Sequence, residues 1–397
     1  MNANSETRLA ASLVEQSAIV TRTGWLAVLA VTLGIFSLMT SELLPVGLLT
    51  PISSALAVSE GTAGLMVTVP GLLAGISAPV ITVSAARVDR RVLLAVLTGL
   101  MAVANLVSAI APNFIVVLVA RLAIGVSVGG FWAIAGGLAV RLVPDRHVAR
   151  ATAVIFGGVS TASVVGIPAG TLIGDFGGWR TAFAAVGILG LVAVAALLTL
   201  VPPLPSTRSV TFGALPALLR GNKGVRIGVL ITFLLVTGHF TAYTFIRPVL
   251  HDTAGIDSGA IGALLMAYGV AGVAGNFVAG SRVSRHVRGT LLLISIALAA
   301  VMALFALPGH GPVSGTAVLV AWGLAYGAVS VSLQTWMLQA APDAGDTASS
   351  LFVAAFNLSI ALGALIGGLA ADGIATTAVL WVAGSLALLT ALTTKRL

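Results

Sequence analysis

The chain has 397 residues, of which 58% are hydrophobic and only 8% charged, with a formal net charge of +8 and no cysteine. Water-soluble domains carry about 25% charged residues, so this composition excludes a soluble fold and assigns the chain to lipid. The missing cysteine excludes disulfides and thiolate metal sites, and the basic excess lies in short polar segments that a membrane's anionic leaflet explains without nucleic acid.

Residues 1–23 are polar and read as a cytoplasmic tail; the apolar run after them is too long for a signal-peptide core and reads as an anchor. A bilayer core takes about 20 apolar residues per helix. Twelve such runs follow, near 24–46, 61–84, 92–111, 114–140, 150–174, 180–200, 226–247, 259–280, 290–307, 314–340, 347–371 and 374–394. They must be helices, because hydrocarbon leaves each backbone amide to be satisfied within its own segment. With the N-terminus inside, 17 of the 20 Lys and Arg fall in cytoplasmic segments, Arg180 and Arg247 fall opposite, and Arg121 falls within a helix. That asymmetry predicts both termini in the cytoplasm.

In the first run, "MTSELLPVGLLTP" places Glu42 deep among apolar residues, with Pro45 and Pro51 favouring a local break. Burial and a neighbouring cation pull a carboxyl's proton affinity in opposite directions, which suits a group that binds and releases a proton; a hydrated glutamate at the helix end is the alternative. Asp89 and Arg90 lie on the turn after the second run, as a conformational latch or a solvated charge cluster. Arg121 sits in "VARLAIGVSVGGFW", about eight residues or roughly 12 Å into the fourth run. A guanidinium there needs carbonyl or carboxylate partners, either as a fixed cation beside a binding group or as an interhelical strut.

The fifth run, "FGGVSTASVVGIPAGTLIGD", spaces Gly158, Ala162, Gly166, Gly170 and Gly174 four apart, a stripe for close helix packing that Pro168 interrupts. His239, in "TGHFTAYTF" of the seventh run, is a second proton-carrier candidate or a neutral packing partner. Tyr243 shares its face. Phe131, Tyr243 and Trp336 are candidate stacking surfaces; Tyr268, Asn276, Asn357, Asn105 and Gln334 can line a polar cavity or join helices.

The polar connection 201–225 divides the runs into bundles 24–200 and 226–397. The halves echo each other. "RVDR" at 87–90 matches "RVSR" at 282–285, "VARLAIG" at 119–125 matches "VAWGLAYG" at 320–327, "PD" recurs at 144 and 342, and "GIPAG" with Asp175 matches "GALIG" with Asp372. Two six-helix repeats are a transporter design, with the site at the midplane between them. No phosphate loop, zinc-binding H-E-x-x-H or nucleophile elbow occurs, so ATP, a metal, a cofactor and enzyme catalysis are not expected.

With these motifs in view, the chain resembles the major facilitator superfamily, and within it the twelve-helix drug:proton antiporters, over about residues 24–394. "LVARLAIGVSVGG" looks like the family's fourth-helix motif, which implies a proton-coupling role for Arg121. "GGVSTASVVGIPAG" looks like the fifth-helix antiporter motif, which implies export. "SELLPVGLLTPI", "GGWRTAF", "FTAYTFIRPV" and "WGLAYGAVSV" are similar to segments of bacterial purine ribonucleoside efflux transporters, with sugar exporters next. The loop motif departs from the family, with Ala85, Val92 and Leu93 at its glycine and basic positions; Asp89 is left with an implied contact near Thr347. The resemblance implies an all-α membrane protein of two pseudo-symmetric six-helix bundles. It implies a monomer in the bacterial inner membrane, exchanging protons for a small solute. A multidrug exporter and a non-transporting sensor or scaffold are the alternatives.

Overall fold

Long apolar runs leave the backbone no partner but itself, and the chain answers with helices. The structure, a computed structural model, describes residues 3–84, 88–135, 138–205, 213–307, 309 and 311–395. Among these no strand occurs, and twelve helices are long and apolar enough to cross a membrane. They are α1 (Thr23–Leu56), α2 (Glu60–Ala78), α3 (Arg90–Ala109), α4 (Phe114–Trp132), α5 (Arg150–Gly177) and α6 (Trp179–Leu200) in the N-terminal half. The C-terminal half holds α7 (Lys223–Tyr243), α8 (Ser258–Ala279), α9 (Arg285–Ala306), α10 (Pro312–Ala340), α11 (Thr347–Gly373) and α12 (Ala378–Lys395).

Three details differ from expectation. The first helix runs unbroken from Ala3 to Leu56, through both Pro45 and Pro51, where a break was expected. The carbonyls that these prolines release are bonded by arginine side chains instead, as described below. α8 and α9 are joined by helical backbone rather than a loop, bent at His286, where φ is −138° and ψ 49°. In α5 a single π-helical turn, Ala162–Gly166, precedes Pro168. Pro168 has no N–H to bond the Val164 carbonyl, and widening the turn accommodates that loss. Within the 201–225 connection a short helix, Ala214–Gly221, leads to Asn222, whose side chain caps α7 by accepting from Val225 N–H.

The two halves pack alike. α1 lies against α5, α2 against α4 and α3 against α6; correspondingly α7 meets α11, α8 meets α10 and α9 meets α12. α3, α6, α9 and α12 leave apolar side chains exposed, among them Val96, Val103, Ile188, Leu293 and Leu388, as helices facing lipid do. Between halves, α2 packs along α11, with Gly61 on Gly368 and Gly71 on Asn357 and Ala361, while Gly262 and Gly269 of α8 meet α5 at Leu172 and Ser163.

An even number of spans returns the chain to the side where it started, which defines a terminal face and a far face. At the far face the halves are tied together. Arg247 reaches Asp175 at 2.8 Å and the Gly47 carbonyl at 2.6 Å. Asp372 accepts from Gly61 N–H at 2.9 Å and from the Ser59 hydroxyl. Toward the terminal face, α1 and α5 frame an apolar recess of about 290 Å³, lined by Leu29, Thr32, Leu33, Phe36, Gly158 and Thr161. Leu29, Phe36 and Leu43 follow each other every seven residues on one face of α1; Phe36 packs on the N-terminal core and Leu43 on a cluster that residues of both halves share.

Candidate functional site

Proline cannot donate to the carbonyl four residues before it. In α1, Pro45 releases the carbonyl of Ser41; in α2, Pro70 releases that of Met66. Arg121 is fully buried, and these carbonyls are its partners: Nη1 donates to Ser41 O at 2.8 Å and Nε to Met66 O at 2.7 Å. Nη2 completes the fork on Glu42 O at 2.7 Å. The arginine on α4 thus clamps α1 and α2 at their proline turns. Arg247 repeats the device, taking the Gly47 carbonyl that Pro51 releases.

Glu42 is buried, at 4% exposure. Its backbone carbonyl is held by Arg121, and none of the described side-chain donors bonds its carboxylate. A neighbour, Asn105, donates through Nδ2 to Ser41 Oγ at 2.7 Å and keeps its Oδ1 unpaired. Arg121, Ser41, Glu42 and Asn105 therefore form one buried polar patch in the N-terminal half.

The repeat relates this patch to the C-terminal half. Asp175 and Asp372 stand 197 positions apart, and the same displacement carries Glu42 onto His239 and Val46 onto Tyr243. The "VARLAIG"/"VAWGLAYG" match carries Arg121 onto Trp322. The two positions are in contact in both halves, through different acceptors: Arg121 donates to the main-chain carbonyl of Glu42, whereas Trp322 donates its indole N–H to the side chain of His239, at Nδ1, 3.1 Å away. With Nδ1 accepting, the neutral imidazole carries its proton on Nε2.

Around His239 stands a column of aromatic rings. Tyr243 stacks on it at 5.0 Å and 21°, Tyr268 stacks on Tyr243 at 5.0 Å and 28°, and Tyr326 lies parallel on its other side. Trp322 and Phe240 meet the column edge-on. Three of its polar atoms, His239 Nε2 and the hydroxyls of Tyr268 and Tyr326, are buried without a partner. Each such group left unsatisfied costs about 1–3 kcal/mol, so these three atoms of one column call for a partner.

Of the cavity candidates read from sequence, the fold brings Tyr243 and Tyr268 to His239. Phe131 lies fully buried in the N-terminal core against Gly34. The indole N–H of Trp336 bonds the Gly224 carbonyl at 3.0 Å, toward the terminal face. Asn357 Nδ2 bonds Val353 O on its own helix, Gln334 bonds Ser349, and Asn276 is half-buried on α8. Trp322 and Tyr326 escaped the residue-by-residue reading because an aromatic on an apolar helix reads as packing. The signal was that the chain has only three tyrosines, all of them in the column.

The motif residues hold helices together. Gly158 rests on α1 at Ile35, Gly166 on Thr40 and Phe36, and Gly170 on Leu44; Pro168 follows the π turn. Asp89 caps α3 by accepting from Arg91 N–H at 2.8 Å, and its other oxygen accepts from Leu204 N–H at 2.7 Å. Both oxygens thus serve the N-terminal half, Arg90 N–H bonds the Leu204 carbonyl, and Thr347 is not their partner here.

A family model described as Major Facilitator Superfamily matches residues 30–353. The purine ribonucleoside efflux pump NepI of Escherichia coli (strain K12) is 35% identical over 373 residues, covering 94% of each chain. NepI of Shigella dysenteriae (serotype 1, strain Sd197) matches with the same identity and coverage. Among solved structures, the nucleoside transporter NupG aligns with a TM-score of 0.76 at 15% identity, covering 93% of this chain and 99% of that one. A bacterial homologue of the human lysosomal transporter Spinster, inward-facing and unoccupied, aligns at 0.70 and 16% identity, covering 94% and 95%. At such identities the structures speak for the fold alone.

Proposed function

The chain belongs to the Major Facilitator Superfamily, and on that footing we propose that it is a proton-coupled antiporter of the bacterial inner membrane, exporting purine ribonucleosides as a monomer. It is a multi-pass membrane transporter rather than an enzyme. The observation that carries the substrate class is the end-to-end likeness to purine ribonucleoside efflux pumps. In this reading the basic segments put both termini in the cytoplasm, so the tied far face is the outer one and the recess opens inward. That is the state in which an exporter loads.

The polar patch and the ring column divide the work. Arg121 holds the Glu42 turn by its backbone, leaving the carboxyl without a donor and able to exchange a proton as the halves rock. A proton arriving on the Glu42 carboxylate from outside accompanies solute release; discharging it inward readies the site for the next solute. His239 is the second candidate carrier. Proteoliposomes with an imposed pH difference and labelled inosine test the scheme. Glu42→Gln is expected to abolish pH-driven transport while the variant elutes and melts like the parent. Full pH-driven transport by that variant removes Glu42 from the mechanism. Flux of arabinose or a dye instead of inosine points to a sugar or drug exporter, and no flux of any solute points to a sensor or scaffold.

A further inference from the structure

We propose that the column Tyr268–Tyr243–His239–Tyr326 is the subsite that receives the planar nitrogen-heterocyclic ring of the solute, by stacking and by hydrogen bonds from His239 Nε2–H and the tyrosine hydroxyls to acceptors on the ring's edge. This rests on the transporter reading above and specifies which part of the solute is held and by what. Three independent features lead to it.

The first is concentration. All three tyrosines of a 397-residue chain, together with His239 and Trp322, meet in one column built from α7, α8 and α10. Packing alone has no need of hydroxyls there, since phenylalanine fills such space without a polar atom to satisfy. The second is the set of unpaired atoms. Trp322 fixes His239 with Nδ1 as acceptor, so Nε2 presents a hydrogen, and it is buried without a partner, as are the hydroxyls of Tyr268 and Tyr326 in the same column. The third is position. Tyr243 and Tyr268 share a buried cluster with Val46, Leu49, Val67 and Ile167 of the opposite half, and Tyr326, at the end of the column, is only half-buried. Direct contacts beside the column point the same way: Gly269, next to Tyr268, rests on Ser163 of α5, and Phe245, two residues from Tyr243, meets Gly64 of α2, so the column lies close to where the halves meet and where rocking exposes a site to each side in turn.

The chemistry of the column narrows the ligand. No cation belongs to it, and the three bonds Arg121 makes go to carbonyls of α1 and α2, so phosphorylated solutes find no counter-charge. A puckered sugar ring carries hydroxyls on both faces and needs many polar partners, whereas this site offers flat surfaces and three buried, unpaired polar atoms. A flat, uncharged ring with acceptors on its edge fits. The repeat supports the assignment: the positions that bear Glu42 and Arg121 in one half bear His239 and Trp322 in the other. Charge for the coupling ion has stayed on one side, and rings for the solute have gathered on the other.

Equilibrium binding to the purified full-length protein tests this, with inosine, adenosine, uridine, hypoxanthine and ribose as probes and melting temperature as the control for folding. Ring-bearing probes are expected to bind, and ribose to fail to compete at hundredfold excess. Base–aromatic stacking is strong enough that Tyr326→Ala should weaken binding at least about fivefold. Tyr326→Phe and Tyr268→Phe, which keep the ring and the fold, should each weaken it severalfold. Unchanged binding in all three variants overturns the subsite while leaving nucleoside export standing. Competition by ribose equal to that by inosine also overturns it. Binding of uridine but not purines upholds the subsite and overturns the purine assignment. Binding of none of the ring-bearing probes overturns both.

Discussion

Arg121 directs its guanidinium to main-chain carbonyls that proline has made available, which explains how the membrane interior tolerates it. A central arginine costs about 2.5–3.5 kcal/mol on insertion scales, and the three carbonyl bonds offset that cost. The pairing predicts two different behaviours. Arg121→Lys keeps the charge but replaces a planar fork with a point donor. At least one buried carbonyl should lose its bond, at about 1–3 kcal/mol, and thermal melting in detergent should fall. Pro45→Ala returns an N–H to the Ser41 carbonyl, which then competes with Arg121 for it beside Glu42, so melting should hold or rise while inosine transport falls. Parent-level transport in Pro45→Ala would show that the proline turn has no part in the cycle. Arg121 itself is conspicuous in the sequence because it is the charge in an apolar run. Its acceptors are backbone atoms on other helices, and only the prolines four residues beyond them hint at where they are.

Among the helices, the glycine rows show how closely the halves copy each other. Gly166 meets Thr40 and Gly170 meets Leu44; shifted by 197 positions, Gly363 meets Thr237 and Gly367 meets Thr241. A side chain at these points would collide with the facing helix, and overpacking typically costs about 1–3 kcal/mol. Gly166→Val and Gly363→Val should therefore lower the melting temperature by similar amounts, whereas Gly157→Ala, which meets nothing within 4 Å, should not. A large difference between the two valine variants would mean that the two packings are not equivalent. The α5 stripe is legible because four-residue spacing is a one-dimensional pattern. The π turn beside it is not, because widening a helix depends on the neighbours that hold it.

At the scale of the molecule, two carboxylates close the far face with the symmetry of the repeat. Asp175 at the end of α5 holds Arg247 between α7 and α8; Asp372 at the end of α11 holds Ser59 and Gly61 at the start of α2. Removing either tie should favour opening at that face. Because the chain has no cysteine, a single Val46→Cys reporter can be labelled in whole cells with a membrane-impermeant maleimide. Labelling should rise severalfold on adding Arg247→Ala or Asp372→Ala. Unchanged labelling in both would show that helix packing, not these ties, keeps the face shut. In the sequence Arg247 is only a basic residue on the outer side, since its partners Gly47 and Asp175 lie 200 and 72 positions away.

The sequence by itself determined the solvent, the twelve helices, their division into two related halves and the anomaly of Arg121. Each is a sum over neighbouring residues or a comparison of one segment with another, and hydrophobic length needs no partner to be read. Only the tertiary structure decided which carbonyls receive Arg121, that Tyr243, Tyr268 and Tyr326 converge on His239, and which face is closed. Those outcomes depend on how helices distant in the chain are pressed together, and local hydrophobicity is nearly the same for every packing that keeps them in the membrane.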